Sequence, residues 1–459
     1  AGVHVGHGSD GSIENNDCHH NGVAGLAFIY GSGLSDTNSL HENDVGLLVR
    51  RDSEPKLHHD ICTLNRIGFL FNEGGGGTLS HEEVRGNIEV GIEISRGGHP
   101  LVSCCNVHDH TKFGIRVDDS GKGDIIGNNI FDNGLAGMMI CNEGEPQVLK
   151  NFIRKNQHGI IASAAGPAQA QENVIEQSVG AGVIIKDAFR SSSKIVFCKN
   201  HVHDNEGGGF LIEKGGGGRV LKNQIQNNGG NGVTIKGSCT VHESQSPDMV
   251  EGNSITDHTK GAGVAVDGKD ADHCLVRYNR IISNEVGLFV TNGGGGDLNN
   301  NNVVGSTKVS CVVSGGASGS FLENSLTTVD VQDGSNPTFE KCVFTIPDTD
   351  KGGVHRDTLV SVTGTSETKA SASFHLCIFK EVHVDCVLRV ADAGAVLLQQ
   401  NRFNDCTGDT IVLEGSGSSG RMSGNRIWGT SGVALTVKDS AAASLNGNNF
   451  QRNGGSVVA

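Results

Sequence analysis

The chain has 459 residues, of which 68 are Gly and only 7 are Pro, a balance that excludes both collagen and a Pro-rich disordered tail. Hydrophobic residues make up 36% and aromatic residues 4%, too little for one large spherical core and too few flat rings for stacking on bases or sugars. The 36 Lys and Arg stand against 51 Asp and Glu, a formal charge of −15, which argues against nucleic acid and polyanionic sugars as partners.

Thirteen cysteines, an odd number, are spread along the chain without framework or C-x-x-C spacing, the pattern of free thiols in a reducing compartment. Asn-x-Ser/Thr sequons are absent, the nearest being Asn336-Pro337-Thr338. No apolar run approaches the ~18 residues of a membrane span. An intracellular protein, cytoplasmic or cytoskeleton-associated, is expected, and the opening Ala1-Gly2 suggests a piece of a longer one.

In chain order, one unit recurs. Residues 16–30 (NDCHHNGVAGLAFIY) and 128–141 (NNIFDNGLAGMMIC) share an opening Asn, a later Asn-Gly, and Ala-Gly before an apolar run. Starts fall at Asn16, Asn38, His59, Glu82, Cys105, Asn128, Asn151, Asn173, Asn200, Asn223, Asn253, Asn279, Asn301, Asn324, Lys341, Leu376, Asn401, Asn425 and Asn448. The mean period of about 24 residues is that of a solenoid. Two residues after each start lies an apolar column running from Cys18 through Ile61, Ile153, Val343 and Ile378 to Phe450, which must face inward. A recurrent Gly then precedes short runs such as GLLV (46–49), GIEI (91–94) and GIRV (114–117), too short for helices and alternating as strands do. The expected fold is all-β, a single-stranded parallel β-helix of about nineteen coils stacked at ~4.8 Å.

The Asn column is read as a ladder of side-chain amides running coil to coil, with Asn128, Asn151, Asn173, Asn200 and Asn223 at its centre, and a second column five residues on includes Asn21, Asn43, Asn87 and Asn133. On this reading Asn151→Ala loses about one hydrogen bond, roughly 0.5–1.5 kcal/mol, and less than Ile153→Ala. Regular coils are expected over 1–304, irregular coils over 305–395 with a polar insertion at about 345–372, and resumed coils over 396–459, all in one rod. The insertion holds Asp348, Asp350, Lys351, His355, Arg356, Asp357, Glu367 and Lys369, and serves as a spacer or a partner-docking loop.

Turns alternate between a Pro type, DSEP (52–55), GGHP (97–100) and GEP (144–146), and a Gly type, GGGG (74–77) and SGKG (120–123). With the Asn-x-Ile and Ala-Gly strands, this pattern resembles the carbohydrate-binding-protein and sugar-hydrolase repeat. In particular it is similar to the β-helical part of F-box-only ubiquitin-ligase receptors and of Shc-binding spindle proteins. The resemblance, strongest over residues 10–300, implies a right-handed, pectin-lyase-like β-helix. Without an F-box it carries over no ligase role.

Three functions fit: a non-catalytic recognition or scaffold module for protein partners, a polysaccharide lyase, hydrolase or epimerase, and a cytoskeletal or ciliary structural component. The enzyme reading rests on Asp118-Asp119 after GIRV, a carboxylate pair for acid–base work; adjacent Asp residues at a strand end are more often a solvated turn. Gly6-His7-Gly8 resembles a polygalacturonase motif but precedes the Asp pair in the chain, the wrong order. The metal reading rests on His201 and His203, which flank the inward Val202 and share one outer face. The scaffold reading needs no cofactor, catalytic residue or metal, and disfavours carbohydrate.

Overall fold

The computed structural model describes residues 1–187, 195–213, 215–237, 249–346, 357–365 and 367–454. Each coil gives one strand to each of three parallel sheets, nineteen strands per sheet among the described residues. Sheet A begins with Val3–Gly6 and Ala24–Ile29, sheet B with Asp10–Glu14 and Ser32–Asp36, and sheet C with Asp17–His19 and Ser39–His41. The fold is an all-β, single-stranded parallel solenoid. By contact density the chain forms two compact units, one holding residues 1–228 and the other residues 229–237 and 249–454.

In-register pairing stacks like on like. In the first unit Leu26, Leu47, Phe69, Ile92, Ile115 and Met138 of sheet A form one inward column, each fully buried. Sheet C contributes Leu40, Cys62, Val84 and Val107. Sharp corners let such short strands close a coil. The recurrent Gly sits where backbones cross: a Cβ on Gly114 would lie 2.7 Å from the Gly137 carbonyl oxygen. The residue before each B-to-C corner is left-handed, including Thr37, His59, His81, Lys150, Lys341 and Leu376, with φ between 51° and 58°.

That left-handed residue corrects the sequence reading in three coils. The sequence pattern places coil starts at His59, Lys341 and Leu376, but each precedes the true corner residue, Asp60, Cys342 or Cys377. The inward residues are therefore Cys62, Phe344 and Phe379, all 0% exposed, and not Ile61, Val343 and Ile378; Ile61 is 41% exposed. Where the corner is not Asn, spacing alone cannot tell it from the polar or exposed residue before it.

The amide ladder is continuous over the first unit's later coils. Asn128 Nδ2 donates to Asn151 Oδ1 (2.9 Å), Asn151 to Asn173, Asn173 to Asn200 and Asn200 to Asn223 (3.0 Å each). Each Nδ2 also donates back to a carbonyl of the preceding coil, as Asn151 does to Ile125. A second ladder runs Asn21, Asn43, Asn65, Asn87, His110, Asn133, Asn156; the shifted start at His59 had hidden Asn65.

His110 is 1% exposed. Its Nδ1 accepts from the Asn87 N–H (3.0 Å) and its own N–H donates to Asn133 Oδ1 (3.2 Å). Burial, helped by the charge of His108, lowers its pKa to about 4. A base with a depressed folded-state pKa contributes stability that is present above its unfolded value and lost as pH falls. Urea midpoints should therefore drop between about pH 6.5 and about pH 4, and His110→Asn should flatten that limb because Asn fills the same ladder position without titrating. An unchanged acid limb in the variant would remove His110 as its cause.

In the second unit, Phe321, Phe339 and Phe374 stack at 4.7 and 4.9 Å, and Phe344, Phe379 and Phe403 at 4.5 and 4.3 Å. Of the insertion expected at 345–372, residues 347–356 and 366, with Asp348, Asp350, Lys351, His355 and Arg356, lie outside the described residues. Thr358–Thr363 is not loop but a strand of sheet A, paired in register with Val329–Gln332 and His383–Ala391.

Candidate functional site

Alternation along a strand sends every second side chain outward, and on sheet A the outward positions of the first unit form a stripe. Ala27, Leu48 and Leu70 stack in register and join Ala24, Val45, Ile67 and Ile29 in one apolar cluster. Met139, Ile161, Ile184 and Leu211 then follow, each paired with the next and each half-buried. Between the two apolar runs lie Glu93 and Arg116, paired across adjacent strands.

These two belong to a polar constellation with Asp118, Cys141 and Asn142. Arg116 approaches Glu93 Oε2 at 3.9 Å and bonds Asp118 Oδ2, and Asn142 Nδ2 donates to Asp118 Oδ1 at 2.8 Å. Burial raises the Glu93 pKa, against the pull of Arg116. Burial, followed by the charge of Asp118, pushes the Cys141 thiol up to about 11, so it is no nucleophile near neutrality. Each Asp118 oxygen accepts a hydrogen bond and Glu93 faces the same guanidinium.

Asp118 and Asp119 do not converge. Asp118 is 8% exposed and turned to Arg116, while Asp119 sits at φ 46° and faces Arg96 at 3.5 Å. His201 and His203 do share the outer face of sheet C, with ring centroids 4.0 Å apart. However, His203 is committed to Glu176 (3.2 Å) and Asp204 (2.7 Å), and burial with the charge of His203 lowers the His201 pKa. His108 repeats this device between Glu83 (2.6 Å) and Asp109 (2.7 Å). Among the described residues no group of three or more His, Cys, Asp or Glu is arranged to hold a metal ion. Sequence reasoning missed Glu93, Arg116, Cys141 and Asn142; aligning GIEI with GIRV would have placed Glu93 beside Arg116.

In the second unit the outward register of sheet A runs from the apolar Ala265, Phe289 and Val312 to the polar Asp330, Ser361 and Arg389. Thr358, Ser361, Thr363, Arg389, Asp392, Glu414 and Asp439 line an open cleft of about 630 Å³. Glu414 bonds Arg389 Nε (2.5 Å) and Lys438 (2.9 Å). Burial alone would raise its pKa, but these two cations bring it below the usual range.

The sequence model of the family described as right handed beta helix region matches residues 58–189, 90–246 and 320–459. The chain belongs to that family. No curated protein matches the sequence significantly. Among solved structures, this β-helix is similar to the mannuronan C-5 epimerase AlgE6 A-module of Azotobacter vinelandii, at 11% identity over 86% of this chain and 91% of that one, TM-score 0.32. It is also similar to a PL6 family alginate lyase, AlyGC, at 10% identity over 96% and 86%, TM-score 0.24. A third is the family 28 exopolygalacturonase of Yersinia enterocolitica, at 9% identity over 84% and 73%, TM-score 0.21. At these values the likeness is one of fold alone. Among the described residues no helix is long and apolar enough to cross a membrane.

Proposed function

We propose that the chain is a non-catalytic recognition module that binds a protein partner on the outer face of sheet A, within residues 1–228. The observation that supports this is the in-register stripe Met139, Ile161, Ile184 and Leu211, apolar side chains standing outward beside charged groups already paired with one another. Half-buried outward apolar residues in register offer a ridge-matching surface, and the net charge of −15 favours a partner whose apolar ridge has basic flanks. All twelve described cysteines are free thiols, which supports an intracellular setting. A structural role in the cytoskeleton would use the same face with a static partner.

The test places a photo-crosslinking residue at Ile161 or, as control, at the outward Gln169 of sheet B, maps the adducts, and measures binding of the purified adduct segment. Ile161→Asp with Ile184→Asp should weaken that binding by about tenfold or more without moving the melting transition of the paired strands. Equal adducts at both positions would sink the proposed face. The enzyme reading is tested alongside: release of unsaturated or reducing sugar from alginate or polygalacturonate, abolished by Glu93→Gln and Asp118→Asn, would replace this reading.

A further inference from the structure

In the B-to-C ladder the Asn corner side chains have a donor's task. Asn38, Asn128, Asn151, Asn173, Asn200 and Asn223 each give an amide hydrogen to a sheet B carbonyl of the preceding coil, those of Ile13, Val102, Ile125, Val148, Ala170 and Phe197. Where Cys105 replaces Asn, its thiol turns to the equivalent carbonyl, that of Leu79 (3.7 Å). Asp60 cannot donate as a carboxylate, and there the sheet B position holds Ser35, whose hydroxyl donates instead to Asp60 Oδ2 (2.7 Å).

Glu82 is the corner without such compensation. Its sheet B counterpart is Leu57, in register between Ser35 and Leu79, which offers only a backbone carbonyl. Glu82 is 1% exposed. Its Oε2 accepts from the Asp60 N–H (2.6 Å), and its Oε1 is buried without a partner. A carboxylate here would place a second charge beside Asp60 and leave the corner without the donor that the Asn and Cys corners of this run supply. A protonated carboxyl removes the second charge and has a hydrogen to donate.

We propose that Glu82 is a proton-binding position built into the N-terminal coils: its carboxyl holds the proton that completes the ladder, and losing the proton as pH rises loosens the coils on either side. This is independent of the proposed binding face. The charged side chains facing Glu82 oppose its ionisation, Asp60 in the corner before it and Asp36 farther along the same side, while the Asp60 N–H favours it; the neighbouring thiols of Cys62 and Cys105 are held protonated by burial and stay neutral. Asp60 has three donors, from Asn38 N, Asn38 Nδ2 and Ser35 Oγ, so of the pair it keeps the charge and Glu82 keeps the proton. Burial, followed by the charge of Asp60, accordingly raises the Glu82 pKa well above the ordinary 4.5. An acid raised in the folded state contributes stability that is whole below its unfolded value and lost as pH climbs through the folded one.

Glu82→Gln carries a permanent donor and no charge. Across the window where Glu82 titrates, the unfolding constant of the native chain should rise relative to the variant by up to about tenfold per pH unit. Exchange of the Asp60 amide should accelerate over the same window beyond its intrinsic pH dependence. Independently of any variant's stability, infrared spectra of the native chain, taken just above the ordinary carboxyl range, should contain a carboxylic-acid C=O stretch that Glu82→Gln and Glu82→Asn both remove. Parallel pH profiles for the native chain and Glu82→Gln, or a native spectrum without that band, would overturn the proposal.

Discussion

Phe379→Ala is expected to destabilise the second unit by about 4 kcal/mol, measured as a fall in the urea midpoint at unchanged slope. Phe379 lies between Phe344 and Phe403, with ring planes within 6° and 5° of parallel, and all three are fully buried. Its ring centroid also lies 6.0 Å from that of Phe374, the planes tilted by 56°, which ties its stack to the one formed by Phe321, Phe339 and Phe374. Truncation removes a ring whose neighbours sit on paired strands fixed by register, so the cavity cannot collapse without breaking the sheet, and large-to-small costs are highest where collapse is blocked. Ile378→Ala, one residue away and half-exposed on the outer side, should cost well under half as much. If Ile378→Ala proved the worse of the two, the assignment of inner and outer faces in these coils would be wrong.

Asn151→Ala is expected to cost about 3 kcal/mol, as much as Ile153→Ala, where the sequence reading allowed it one bond. The side chain takes part in five hydrogen bonds: it accepts from the Asn128 N–H and Nδ2, and donates to Ile125 O, Leu149 O and Asn173 Oδ1. Alanine leaves the Asn128 N–H buried with its acceptor gone, and an orphaned buried donor forfeits its full desolvation penalty, about 1–3 kcal/mol, on top of the bonds lost. Asn151→Asp separates the contributions, since it keeps the acceptor and removes the donor. A midpoint for Asn151→Ala equal to that of an exposed substitution such as Gln157→Ala would show the ladder to be decoration.

The coil period, the inward column and the Asn corners were legible because each repeats a residue type at a fixed distance. Legibility failed where the corner function passed to another side chain. Asp60, Cys342 and Cys377 fill the Asn position by hydrogen bonding through carboxylate or thiol, and neither type announces a corner. The stack of Phe344, Phe379 and Phe403 was hidden by the same slip, since moving the corner by one residue exchanges Phe379 for Ile378. The constellation at Glu93, Arg116 and Asp118 was half visible: Asp118 was noticed for standing beside Asp119, whereas its partners lie in other coils and become neighbours only through register.

The left-handed residue ahead of each corner has an evolutionary consequence. It holds His, Lys, Glu, Leu, Tyr, Thr, Asn and Gly in different coils, so the backbone there demands a torsion but almost no chemistry. The instructions for folding are written in one column and those for the solvent-facing exterior in the column beside it. A lineage can thus rewrite what a coil displays, one coil at a time, while the residues that close the coil stay as they are, and a repeat protein of this kind can acquire new partners without searching for a new fold.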